Sequence, residues 1–127
     1  MKLLDTSVIV DHLRGRDQAT QLLEEWVGAD ESLAASELTR FELLAGTRPD
    51  EHDQLEGFFS VLSWVPVTEE ISRRAGEFAR RYRRSHSGIG VADYLLAGTA
   101  LALSAELVTT NVRHFPMFDD LHPPYPR

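Results

Sequence analysis

Short apolar runs alternate with longer stretches of helical periodicity along almost the whole chain, and this order restricts the fold more than any other feature. Residues 2–5, 33–35, 64–67 and 106–110 read as strands. Between them, residues 7–14, 17–27, 37–45, 50–62, 69–84 and 91–103 carry apolar side chains at helical spacing. In the fifth of these helices the set is Ile71, Ala75, Phe78, Ala79 and Tyr82. Ser36 and Thr68 stand where N-caps belong, while Gly15 and Gly46 stand where helices stop. Parallel strands need a crossover connection, usually a helix, so strict alternation predicts an α/β domain. The expected architecture is a central, mostly parallel sheet with helices on both faces. Residues 91–103 are apolar on nearly every side and are expected to be buried against the sheet, a partner, or both. The tail contains Pro116, Pro123, Pro124 and Pro126 and is expected to be irregular.

A chain of 127 residues matches one domain, and no linker or repeat divides residues 1–127. The absence of cysteine removes disulfides, thiolate metal sites and cysteine nucleophiles. No apolar run approaches the roughly 18–20 residues of a membrane span, and Asp5 interrupts the first one. A cytoplasmic protein without membrane association is the expectation. The net charge of −7 argues against bulk attraction to nucleic acid. Yet six of the 13 basic residues fall between Arg73 and Arg84, and Arg73, Arg80 and Arg84 follow one another by 7 and 4 residues. They could form one RNA-binding helix face, or a solvated face partly neutralised by Glu69, Glu70 and Glu77.

In open α/β sheets, ligands bind outside the carboxyl ends of the strands. Asp5 ends the first predicted strand and Asn111 follows the last. Asp93 lies in the first turn of the apolar helix, and Glu42, with Leu38 and Ala45 as its helical neighbours, is an acid on the apolar side of its helix, where charges are rarely buried without a partner. Each residue has an ordinary structural explanation. Asp5 could cap a helix, Asp93 could complement a helix N-terminus, Glu42 could be solvated, and Asn111 could sit in a turn. Brought to one sheet edge, however, the carboxylates would repel one another, and a hard divalent cation would relieve the repulsion. Oxygen ligands without a histidine pair point to Mg²⁺ or Mn²⁺ and away from Zn²⁺. The matching chemistry is phosphodiester hydrolysis by metal-activated water.

Four segments in order, residues 1–11, 39–44, 91–97 and 108–115, resemble the motifs of PIN-domain ribonucleases. More specifically they resemble the VapC toxins of bacterial toxin–antitoxin pairs. The similarity runs from residue 1 to about residue 118. It implies a three-layer α/β/α fold in which Asp5, Glu42 and Asp93 hold Mg²⁺, with Mn²⁺ as a substitute. It assigns catalytic roles to these three and to Asn111, which occupies a place where many PIN domains carry a fourth acid. It further implies an endoribonuclease toxin acting on RNA, inhibited by a cognate antitoxin, and a homodimer. The uncharged Asn111 keeps an alternative open: a PIN-like module that binds RNA or an antitoxin while cutting weakly. Thr6 or Ser7 would support Asp5 by hydrogen bonding.

Overall fold

A computed structural model describes residues 1–126. Strands β1 (Lys2–Leu4), β2 (Leu33–Ser36), β3 (Ser63–Val65) and β4 (Glu106–Val108) form a four-stranded sheet in the order β3-β2-β1-β4. All three pairings are parallel, so the sheet is parallel throughout. Each crossover is helical. Helices α1 (Thr6–Leu13) and α2 (Asp17–Gly28) connect β1 to β2, and α3 (Glu37–Gly46) and α4 (His52–Phe59) connect β2 to β3. Helices α5 (Glu69–Tyr82) and α6 (Val91–Leu103) return the chain to β4.

Alternation along the strands divides the core between the two faces of the sheet. Leu4, Leu33, Ala35 and Val108 pack with Val8 and Ile9 of α1, Leu23 of α2 and Leu55 and Phe59 of α4. Their neighbours Leu3, Ala34 and Leu107 point to the other face and pack with Leu96, Ala97 and Ala100 of α6 and with Phe115. This is the expected α/β/α sandwich. Among the described residues no helix is long and apolar enough to cross a membrane.

The boundaries differ from the sequence reading for local reasons. The third strand stops at Val65, because Pro66 has no N–H for a ladder. The expected helix over 50–62 is a 3₁₀ turn, Pro49–Glu51, followed by α4. Helix α5 ends at Tyr82, which leaves Arg84 outside it. The last strand ends at Val108, and Thr109 and Thr110 leave the ladder to serve the site described below. Three predicted caps form. Asp5 accepts from the Thr6 N–H at 2.7 Å, Ser36 from Leu38 at 3.1 Å and Thr68 from Ile71 at 3.2 Å. The tail is irregular but anchored. Tyr125 is buried beside the α1 face of the core, and the Arg16 guanidinium donates to the Pro126 carbonyl at 2.8 Å.

Helix α6 is buried from Tyr94 to Ala100, apart from a half-buried Leu95, while Val91, Leu101 and Leu103 remain exposed. One of its small residues, Gly98, lies where α6 meets α5. A Cβ added at Gly98 would lie 2.8 Å from the Ile71 carbonyl oxygen and 3.0 Å from the Ala75 nitrogen. Backbone therefore approaches backbone where only glycine fits.

Candidate active site

The carboxyl edge of the sheet opens into a cavity of about 410 Å³. Its lining includes Asp5, Glu42, Asp93 and Asn111, the four residues singled out in the sequence. The topology brings them together. Asp5 follows β1, α3 begins directly after β2, Asp93 lies in the first turn of α6, and Asn111 follows β4.

Asp5 is the most constrained of the four, with only 8% of its surface exposed. The parallel register pairs Leu4 with Val108, which sets Asp5 opposite Thr109. The buried Thr109 hydroxyl donates to Asp5 Oδ2 at 2.7 Å. The Ser7 hydroxyl donates to the same oxygen at 3.2 Å, and the Thr6 N–H holds Oδ1. Backbone donors lock the two hydroxyls in turn. The Thr110 N–H donates to Ser7 Oγ at 3.2 Å and the Asn111 N–H to Thr109 Oγ1 at 2.9 Å. Despite these bonds, desolvation pushes the Asp5 carboxyl above its ordinary value, and the nearby Asp93 charge pushes it further.

The other two acids are held more loosely. Glu42 is exposed, because the buried face of α3 is formed by Thr39 and Leu43 and not by the Leu38–Ala45 side expected from the sequence. It borders the cavity through Oε1, which accepts from the Thr6 hydroxyl at 2.8 Å. Thr6 thus serves Glu42 with its side chain and Asp5 with its backbone. Asp93 Oδ2 accepts from the Gly90 N–H at 3.1 Å and lies 3.1 Å from His114 Nδ1. Asp93 therefore does complement the helix N-terminus, and it faces the cavity as well. Among the described residues, no three acidic or histidine side chains converge closely enough to grip a cation by themselves. A Mg²⁺-sized ion does not require such convergence, because it keeps several waters and takes one or two direct carboxylates. The donor set, oxygen from Asp5, Glu42, Asp93 and Asn111, fits such a hard ion, and the repulsion between Asp5 and Asp93 gives it a reason to bind.

A model of the PIN domain matches residues 2–120. Ribonuclease VapC19 of Mycobacterium tuberculosis is 59% identical over 125 residues, covering 98% of this chain and 100% of that protein. The chain belongs to the PIN-domain family, in its VapC branch. Two solved structures share the fold. A toxin–antitoxin complex from Klebsiella pneumoniae has a TM-score of 0.81 at 25% identity, covering 98% of each chain. VapBC2 of Rickettsia felis, bound to a DNA fragment from its promoter, has a TM-score of 0.80 at 26% identity, covering 94% of each chain.

Three features of this PIN domain escaped the sequence reading. Thr109 became visible only through the β1–β4 register. Asp11 lines the cavity as an additional acid, its Oδ2 bonded to the Tyr125 hydroxyl at 2.6 Å. Arg14 lines it too, whereas Arg73, Arg80 and Arg84 do not. Arg73 is paired with Glu69 at 2.9 Å, and Arg80 lies in a separate hollow beside Glu77 and Phe78. A signal for Asp11 and Arg14 was present: Ser7, Val10, Asp11 and Arg14 repeat at i, i+3, i+4 and i+7, opposite the buried Val8 and Ile9. Asp119 and Asp120 are exposed and line another cavity, so they do not supply a replacement acid.

Proposed function

We propose that this VapC-family chain is a divalent-metal-dependent endoribonuclease, the toxin of a toxin–antitoxin pair. The observation that carries the reading is the single cavity into which Asp5, Glu42 and Asp93 open, with Asp5 buried and repelled by Asp93. Asp5 and Asp93 would hold Mg²⁺, or Mn²⁺ in its place, with Glu42 and Asn111 acting directly or through water. When bound, such an ion supplies Lewis-acid stabilisation of charge on a phosphoryl group and acidifies water.

The chain's own residues do the positioning. Thr109 and Ser7 fix the Asp5 carboxylate, and the backbone bonds onto their hydroxyls prevent them from turning away. Asn111 brings a carbonyl acceptor and an amide donor without charge, so it can orient water or a phosphate oxygen while leaving the cavity less negative. His114 keeps the Asp93 carboxylate oriented. Attack of water on phosphorus with departure of the 3′ oxygen leaves a 5′-phosphate and a 3′-hydroxyl.

An antitoxin of the VapB kind is the partner in this reading, since the Rickettsia felis structure is a VapBC complex and the Klebsiella pneumoniae structure a toxin–antitoxin complex. A basic side chain of that partner would satisfy the same acids as the cation. Pairing of two copies is carried by the family, with Val91, Leu101 and Leu103 the apolar side chains that α6 leaves exposed. Arg73, Arg80 and Arg84 would meet only RNA that extends beyond the cavity.

The test is cleavage of RNA by the purified chain, with Thr109→Val alongside to exclude a contaminating nuclease. Wild type cuts only with Mg²⁺ or Mn²⁺ and leaves 5′-phosphate ends. Thr109→Val keeps the side-chain volume, removes the bond to Asp5, and lowers the rate by about 10–100-fold. Equal rates for the two proteins, or cutting in EDTA, would contradict the reading.

A further inference from the structure

Among the described residues, Arg14 is the only lysine or arginine that lines the acidic cavity. It stands at the carboxyl end of α1, on the stripe that carries Ser7 and Asp11. At about 1.5 Å of rise per residue, it lies about 10 Å along the helix from Ser7, the residue that holds Asp5. Arg14 is exposed and within ion-pair distance of no described acid, although Glu51 across the neighbouring hollow feels its charge, whereas Arg40, Arg48, Arg73 and Arg74 are each tied to an acid. Arg16, two positions on, is committed to the Pro126 carbonyl and the Tyr125 ring. The cavity also continues past Arg14. A smaller hollow of about 140 Å³ shares Val10, Arg14 and Glu42 with it and reaches Thr47.

A polyanion approaching this edge meets four carboxylates. The cation of the proposed site offsets them at the phosphate being cut but does little for the next phosphate along the strand. A guanidinium fork supplies that second contact, because it binds phosphate in a bidentate way and stays charged at every relevant pH. The main cavity has the size of a small-molecule site, room for one strand and not for a duplex.

We propose that Arg14 grips a backbone phosphate of single-stranded RNA adjacent to the cleaved one, so that the strand runs along α1 between the two hollows. The inference rests on the ribonuclease reading above and names the residue that seats its substrate.

The experiment measures binding of a fluorescent single-stranded oligoribonucleotide of random sequence over a range of KCl. It is done with wild-type Asp5 and with Ca²⁺ in place of Mg²⁺, so that the acids stay neutralised while the strand is not cut, and thermal melts confirm that every variant is folded. Arg14→Ala weakens binding about tenfold. It also makes the dependence of log affinity on log salt shallower by about 0.7, the loss of one single-strand phosphate contact. Arg14→Lys restores the slope but only part of the affinity. Arg74→Ala, which removes the same charge from a residue outside the cavity, changes neither. Equal slopes with and without Arg14, while wild type still cuts RNA, would overturn this inference and leave the ribonuclease reading intact. An Arg14-dependent slope in a protein whose wild type never cuts would sustain the inference as RNA binding and sink the nuclease. Failure of the parent protein to bind RNA would overturn both.

Discussion

Replacing Asp5 with Asn stabilises the metal-free protein and at the same time abolishes RNA cleavage. The two effects share one cause. Asp5 is buried, and desolvation together with the Asp93 charge outweighs its three hydrogen bonds, so its carboxyl titrates above the ordinary value of 3.8. A group whose pKa is higher in the folded state favours folding only while it is protonated. Its contribution is complete below about 3.8 and is lost as pH rises through the raised value. The metal-free wild type therefore carries a destabilising charge at neutral pH that Asp5→Asn lacks. The Ser7 and Thr109 oxygens, each already accepting from a backbone N–H, can accept a second bond from the new amide, which reverses the direction of the two side-chain bonds without moving the oxygens. The gap between the melting temperatures of the two proteins should widen as pH rises toward neutrality, with the variant higher. Saturating Mg²⁺ should reverse the order by stabilising only wild type. Cleavage should fall by more than about a hundredfold, since outer-shell partners alone account for about 10–100-fold. A variant that melts below wild type at pH 7 without metal, or that retains activity, would contradict this account.

The same substitution has opposite signs at two glycines. Gly98→Ala forces a Cβ to within 2.8 Å of the Ile71 carbonyl oxygen and 3.0 Å of the Ala75 nitrogen. Both are backbone atoms of α5, so relief requires the two helices to separate. Overpacking of this kind typically costs about 1–3 kcal/mol, occasionally more. That exceeds the roughly 1 kcal/mol that alanine gains over glycine in a helix. Gly57 lies in α4 with nothing within 4 Å of the added atom, so Gly57→Ala keeps the propensity gain. Chemical denaturation should show Gly98→Ala less stable than wild type and Gly57→Ala more stable. A folded domain has only about 5–15 kcal/mol in hand, so the loss at Gly98 is a large fraction. Two changes of the same sign would mean that α5 and α6 do not approach as closely as described.

How much of this was legible in the sequence follows from which interactions are local. Alternation of strand and helix is local, so the α/β/α order could be read before any contact was known. Helix caps are local too, and Asp5, Ser36 and Thr68 sit where their residue types imply. The assembly of Asp5, Glu42, Asp93 and Asn111 is not local, yet it was accessible because parallel sheets place ligands at one strand edge. Thr109 was not accessible, because its role depends on the register between β1 and β4, which are separated by most of the chain. Glu42 is solvated, one of its two readings, and the apolar side of α3 was misplaced because Leu38 and Ala45 are apolar in type but do not define its buried face. The arginine cluster of α5 drew attention by density. Among the described residues, Arg14 is the one lysine or arginine that lines the cavity, and only the face of α1 opposite its buried residues could reveal it.

The central claim is that Asp5 and Asp93 together create a site for a hard divalent cation. Its most direct test is titration of the metal-free protein with Mn²⁺, followed by electron paramagnetic resonance of the free ion. Wild type should bind Mn²⁺, release it to excess Mg²⁺, and lose that binding in both Asp5→Asn and Asp93→Asn. Binding that persists in either variant, or no binding by wild type, would contradict the claim.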